Sequence, residues 1–282
     1  MHIRNPVEWG VDQIRSAGTA IESMSRAGHR IEEAPTVRHI AVADLRDALA
    51  RGLDDFAAFR TDVAFLCVIY PLVGLVLARL VFGYELLPLL FPLASGFALI
   101  GPVAAVGLYE MSRRREAGAE VSWADAFEVV HVPSFGAILL FGLLLMAIFV
   151  LWLYAAIGIY DLTLGPAQPA SVGGFIHDLF ATDAGWALIG IGIGVGFLFA
   201  VLVLAISVVS VPLLLDRDVG LGVAIQTSLR AVAANPGPMA AWGFAVAAGL
   251  VLGSIPLFIG LIVVMPVLGH ATWHLYRRAV AR

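Results

Sequence analysis

The stretches Ser210–Gly220 (SVPLLLDRDVG), Thr227–Gly243 (TSLRAVAANPGPMAAWG) and Leu261–Arg278 (LIVVMPVLGHATWHLYRR) decide how the chain is read. In order they are the end of an apolar run, an amphipathic segment stopped by Asn235-Pro236-Gly237-Pro238, and an apolar run closed by a basic pair. Leucine-rich runs that end in Asp-Arg or Arg-Arg are what a helix needs when its middle lies in hydrocarbon and its end in water. The same order recurs upstream, so working outward from this unit organises the whole chain.

A chain of 282 residues that is 60% apolar and 13% charged, with mean hydropathy +0.93, cannot cover its surface with polar groups and must be an integral membrane protein. Spanning takes roughly 20 apolar residues for a hydrocarbon core of about 30 Å. Six runs meet this, at about 62–82, 86–109, 135–160, 184–213, 239–255 and 256–276, the last two split at Gly253-Ser254-Ile255-Pro256. The expected fold is all-α and polytopic, with six transmembrane helices and amphipathic interfacial elbow helices. Residues 1–39 read as a cytoplasmic tail whose helix starts at Asn5-Pro6-Val7-Glu8, and 40–282 as the membrane domain. The N-terminus lacks the basic-then-apolar pattern of a secretory signal, so the first spans are expected to direct insertion. Cys67 is the single cysteine, which leaves no disulfide or CxxC site within the chain.

All 17 basic residues are arginine, and their placement orients the spans. Arg38, Arg46, Arg51 and Arg60 precede the first span, Arg113, Arg114 and Arg115 follow the second, Arg217 and Arg230 join the fourth and fifth, and Arg277, Arg278 and Arg282 end the chain. These fall on one side, whereas the loop 161–183 has only Asp161, Asp178 and Asp183, and Arg79 alone sits near the opposite face, with Glu85 as a partner for its outward-reaching side chain. Both termini are therefore expected in the cytoplasm of a bacterial inner-membrane protein. Three amphipathic stretches on that side, about 42–59, 121–131 and 219–234, share apolar trios: Leu45/Ala48/Leu49, Trp123/Ala126/Phe127 and Leu221/Ala224/Ile225. The i, i+3, i+4 spacing puts each trio on one helical face. Each is followed by a break and a pair of runs, which suggests a threefold helix-hairpin repeat.

The three blocks quoted above resemble a family of predicted bacterial integral membrane proteins of unknown function, some of whose members are labelled cytochrome c oxidase subunits. The resemblance runs over about residues 40–280 and is most specific in the last 70. It implies a multispanning inner-membrane protein and supplies no catalytic residues to carry over. The elbow-and-hairpin order is also similar, as an analogy of fold, to the membrane domain attached to some glycerophosphodiester phosphodiesterases.

His270 and His274 stand four apart, which puts both imidazoles on one helical face, and with His131 at the same expected depth they are the candidate metal or haem ligands. The alternative is interfacial anchoring beside Trp273 and Tyr276, and it is preferred. Gly190, Gly192, Gly194 and Gly196, with Gly249 and Gly253, form small-xxx-small pairs suited to helix packing rather than to a phosphate loop. Arg113, Arg114 and Arg115 should face Asp216, Arg217 and Asp218 as an ion-pair cluster or a lipid or partner contact. No catalytic triad, HExxH or paired-acid pattern is present, and spans three to five carry no charge. The expected role is a non-catalytic subunit, assembly or organising factor that binds no cofactor. Its partners would be membrane lipids and other membrane proteins, respiratory complex components among them, with no nucleic acid. The alternatives are a transporter or channel for a small molecule, lipid or ion, and, less favoured, a haem- or metal-binding oxidase-associated subunit. The orientation has a direct check: single cysteines placed at Gln168 and at Arg114 should react with an impermeant thiol reagent from opposite sides of the membrane, and reaction from the same side overturns it.

Overall fold

The computed structural model describes residues 35–67, 72, 87–167, 169–256 and 258–281. Among these the chain is helical, and its isolated β-bridge joins Val37 to Val280. The helices are α1 (Val42–Cys67), α2 (Leu90–Ala104), α3 (Val106–Glu116), a 3-10 helix (Trp123–His131), α4 (Phe135–Thr163), α5 (Val172–Ala181), α6 (Asp183–Ser207), α7 (Ser210–Asp216), α8 (Leu221–Ala234), α9 (Pro236–Ser254) and α10 (Leu261–Ala279). Among the described residues four stretches are long and apolar enough to cross a membrane: Leu87–Glu116, Phe135–Thr163, Asp183–Asp216 and Pro236–Ser254. They correspond to the second to fifth expected runs, and the chain is a polytopic membrane protein. The sixth run is α10, whose last turns hold His270, His274, Arg277 and Arg278. Most of the expected span 62–82, and the amphipathic helix of the N-terminal tail, lie outside the described residues.

Pro212 explains why one of the apolar runs is interrupted. A proline ring clashes with the carbonyl four residues back and removes one N–H. Accordingly the run 184–213 is not one helix: it turns at Val208–Val209 between α6 and α7, so that Pro212 falls in the first turn of α7, where it is tolerated. Ser228 of α8 repairs the break, accepting from Val209 N at 3.3 Å and donating to the Ala205 carbonyl at 2.8 Å. The run 86–109 breaks at Ala105, where α2 gives way to α3, with Pro102 inside α2. The turn between α9 and α10 falls at the expected place, and its two glycines meet: a Cβ on Gly260 would lie 2.8 Å from Gly253 Cα.

α1 and α10 form the tightest helix pair, running antiparallel from the bridge at Val37 and Val280. Arg38 N and Ala281 N donate to the carbonyls of Ala279 and Thr36, and Arg278 pairs with Asp44 and Asp47 at 3.1 Å each. Gly52 permits this approach, because a Cβ there would sit 2.6 Å from Ala271 N and 2.8 Å from the Val267 carbonyl. On its other side α10 presents Gly269 to Leu108 of α3. Asn235, between α8 and α9, ties in the segment before α1: it accepts from Ile40 N at 2.8 Å and donates to the Arg38 carbonyl at 3.0 Å. A second layer surrounds Trp152 of α4, whose indole N–H bonds the Pro92 carbonyl and Ser95, and whose ring covers Gly196.

The threefold repeat is corrected in two units. The first stretch is no separate elbow, because α1 continues through Thr61-Asp62 to Cys67; neither residue is Pro or Gly, so nothing in the backbone stops it. The second stretch is a 3-10 helix, and with three residues per turn the i and i+3 positions align while i+4 does not. Thus Val129 is buried three positions after Ala126, whereas Phe127 is 57% exposed. The third stretch does form a separate helix, α8, with Ala224 buried and a break at Asn235. The loop 161–183 contains the short helix α5, which begins at Ser171 with a side-chain cap on Gly174 N.

Glycine positions separate close packing from open surface. Gly52→Ala should destabilise the protein by about 1–3 kcal/mol, the usual cost of overpacking, because the atoms it meets are backbone. Gly190→Ala, with nothing within 4 Å of its Cβ, should be neutral or slightly stabilising. Thermal melts of the two variants in one detergent should separate clearly, and equal melting points would refute the packing assigned to α1 and α10.

Candidate functional site at the arginine-rich end

Helical spacing spreads the triad Arg113-Arg114-Arg115 from the end of α3 in different directions. Glu110, one turn earlier and 1% exposed, takes Arg113 in a fork, from Nε at 2.7 Å and Nη2 at 2.8 Å, and Arg114 from Nε at 2.7 Å. A carboxylate buried this deeply needs such partners, since an unpaired charge out of water is prohibitively costly. Arg114 also reaches Asp125 at 2.6 Å, at the start of the 3-10 helix. Bonds from the Ser122 backbone and hydroxyl hold the Asp125 carboxyl below its usual value, ahead of the opposing effect of burial and assisted by Arg114. Arg115 leaves on the opposite side, to Asp55 of α1 at 2.6 Å, with its guanidinium 5.6 Å from the centre of the Phe59 ring.

Asp55 is the hub of a buried network joining α1, α3 and α10. Oδ1 accepts from Arg115; Oδ2 accepts from the Ser112 hydroxyl at 2.6 Å and from His274 Nε2 at 2.9 Å. Because the single hydroxyl proton of Ser112 goes to Asp55, the 2.8 Å contact with His270 requires His270 Nδ1–H to donate to Ser112 Oγ. His270 Nε2 is then an acceptor, and it is buried without a hydrogen-bond partner among the described residues. The proton order is the reverse of an activated nucleophile, in which the hydroxyl gives its proton toward imidazole. Asp55 lies in the charged part of α1, outside the apolar spans. Burial pushes its carboxyl up, but the bonds from His274 and Ser112 outweigh burial and hold it below the ordinary carboxylate value.

The histidines are thus not interfacial anchors. His270, Trp273 and Tyr276 are each at most 1% exposed, packed inside the bundle rather than at its rim. Tyr276 donates to Asp216 at 2.6 Å, and Trp273 Nε1 donates to Glu116 at 3.1 Å. His131 does not join His270 and His274; it sits exposed on the 3-10 helix, 3.2 Å from Glu128. Among the described residues no group of three or more His, Cys, Asp or Glu is arranged to hold a metal ion.

Asp216 also departs from the expected partner, pairing with Arg277 at 3.2 Å, and Arg277 continues to Glu116 at 3.1 Å. Arg217 donates to the Ala281 carbonyl. Asp216, Arg217 and Asp218 nevertheless share a cleft of about 390 Å³ with Arg113 and Arg114, while Arg115 lies outside it. Its remaining walls come from Glu110, Glu128, His131, Leu215 and the residues Val132, Pro133 and Ser134 just before α4. Of the glycines, Gly249 and Gly253 pack against α10 and Gly196 against Trp152, but Gly190, Gly192 and Gly194 meet nothing within 4 Å among the described residues.

Sequence reading missed Asp55, Glu110 and Ser112. Glu110 had a local signal, an acid three and four residues before two arginines. Asp55 had none, since its partners are 57 and 219 residues away. Asp55→Ala should cost about 3 kcal/mol or more, because Arg115 and His274 lose their buried partner. The carboxyl is depressed in the folded state, so its contribution is present above the unfolded value of 3.8 and is lost as pH falls below it. Melting points of wild type and Asp55→Asn, followed from pH 7 to pH 3, should converge at the acid end; a constant gap would count against the network.

No curated protein and no solved structure matches the chain. The family match ends at Asp216, so the blocks Thr227–Gly243 and Leu261–Arg278, which carry much of the resemblance in the sequence, lie beyond it. Over residues 90–216, from the start of α2 to the end of α7 and including three walls of the cleft, the chain matches the model of the family described as predicted integral membrane protein (DUF2189), whose function is unknown.

Proposed function

We propose that the chain is a non-catalytic protein of a bacterial inner membrane, with its arginine-rich end in the cytoplasm, working through contacts of that end with lipids or partner proteins and without a cofactor. The observation that carries this reading is the cleft where the ends of three apolar stretches meet. Its walls include Arg113, Arg114 and Arg217, with Glu128, Asp216 and Asp218. Polar groups within the apolar helices, by contrast, are spent locally. Ser210 donates to the Ile206 carbonyl, Ser254 to Leu250 and Thr227 to Val223, which gives a solute little to bind along the spans.

A transporter or channel is the second reading, favoured by the interruption between α6 and α7 beside Ser207, Ser210 and Ser228, since broken helices line many transport sites. The network argues against a shared iron or metal between the histidines: His270 is turned to Ser112 and His274 to Asp55. Purification in mild detergent with mass spectrometry of the retained molecules should recover stoichiometric lipid or a partner protein. Protein that retains neither, yet supports solute or ion flux in vesicles, would overturn the first reading for the second.

A further inference from the structure

The cleft is lined by arginines and carboxylates together, and this narrows the ligand. Arg113 spends Nε and one Nη on Glu110, which leaves its other N–H groups without a protein acceptor among the described residues. Arg217 stands on the far wall, its Nη2 on the Ala281 carbonyl and its Nε 3.9 Å from Asp216. Val132, Pro133 and Ser134, the residues just before α4, complete the lining, and the Ser134 hydroxyl is turned to the Leu214 carbonyl. Guanidinium groups are suited to a phosphate. Glu128, 48% exposed, 3.2 Å from His131 and 4.0 Å from Arg114, brings negative charge to the same cleft, as do Asp216 and Asp218. A purely anionic ligand would meet these acids; a phosphate joined to an ammonium would satisfy both signs.

The surroundings place such a ligand in a lipid. The cleft sits at the ends of apolar helices, with Val132, Pro133 and Leu215 in its lining. From the same end of α4, Leu139, Leu143, Met146, Val150, Tyr154 and Ile157 form one exposed face at helical spacing along the span. A headgroup in the cleft would have its chains on apolar surface.

We infer that the cleft binds the zwitterionic headgroup of a phospholipid bearing a primary ammonium, phosphatidylethanolamine in chemical class, with phosphate on Arg113 and Arg217 and ammonium on Glu128. This rests on the lipid-contact reading above and specifies its ligand. A primary ammonium has three N–H donors for carboxylate oxygens. The choline headgroup has the same charges but no N–H, and the glycerol headgroup has the phosphate without the cation.

The test is lipid retention by the full-length protein in detergent, read by native mass spectrometry after adding phosphatidylethanolamine, phosphatidylcholine or phosphatidylglycerol of identical chains. Phosphatidylethanolamine should be retained best, and Arg113→Gln should lower its retention about tenfold, as expected for a lost charge-assisted bond. Glu128→Gln should bring it down to the choline lipid while leaving phosphatidylglycerol unchanged or raised. Both substituted side chains are part-exposed, and Glu110 keeps Arg114 when Arg113 is replaced, so melting points close to wild type should accompany the change. Equal retention of the three lipids, or an ethanolamine preference that survives both substitutions, overturns the inference. Preference for phosphatidylglycerol overturns it but leaves the lipid-contact reading standing, whereas retention of no lipid removes lipid contact altogether. Free phosphoethanolamine that binds as tightly as the lipid would overturn the membrane as the source.

Discussion

The near-contact of two helix backbones, at Gly52 of α1 and Ala271 of α10, is the constraint on which the arginine-rich end depends. Without a Cβ at position 52 the axes come close enough for short side chains to meet across the seam. That is how Asp55 reaches His274 and how the Ser112 hydroxyl stands between Asp55 and His270. The same seam carries Arg278 to Asp44 and Asp47 and closes with the bridge between Val37 and Val280. A charged helix that reads as lying along a membrane surface is thereby drawn into the protein, and its acids are neutralised by arginines and histidine from elsewhere in the chain.

A second constraint is the cost of a backbone polar group left unpaired in an apolar setting. Each interruption is met by a specific side chain. Ser228 takes both freed groups near Val208–Val209, Asn235 serves the break before α9 and the segment before α1, and Ser134 takes the Leu214 carbonyl. Ser228, Asn235 and Ser134 are all at most 5% exposed. The polar residues of the apolar region are consumed in holding broken helices together, and chemistry toward a ligand is left to the rim.

At that rim, Glu110 decides what the arginines can do. By fixing Arg113 from within α3 it reduces the entropy lost when a ligand is gripped, while Arg114, held by the same carboxylate, spends its outer edge on Asp125 and Glu128. Arg115, one residue on, is committed to Asp55 and takes no part. Three consecutive arginines thus serve two different ends, divided by the 100° step of the helix.

Hydropathy and breakers, which act locally, were enough to place much of the fold. The run 135–160 became α4, the breaker at Asn235 ended α8, and Gly253-Ser254-Ile255-Pro256 opened the turn before α10. The sequence also held Pro212 and Pro102, but a hydropathy window averages over a single proline, so the interruptions beside them were not read. The 3-10 form of 123–131 was hidden for a related reason: apolar spacing of three and four suits an α-helix, and only the burial of Val129 with Phe127 left outside shows three residues per turn. What sequence alone determined was the class of protein, the approximate spans and the side on which arginine gathers, because each follows from transfer of local segments between water and lipid. Tertiary structure alone decided that Asp55 meets Ser112 and His274, that His270 is buried, and that Arg115 parts from Arg113 and Arg114, since those pairings depend on which helix faces which, a matter of shape at Gly52 and Gly269 that no local pattern records.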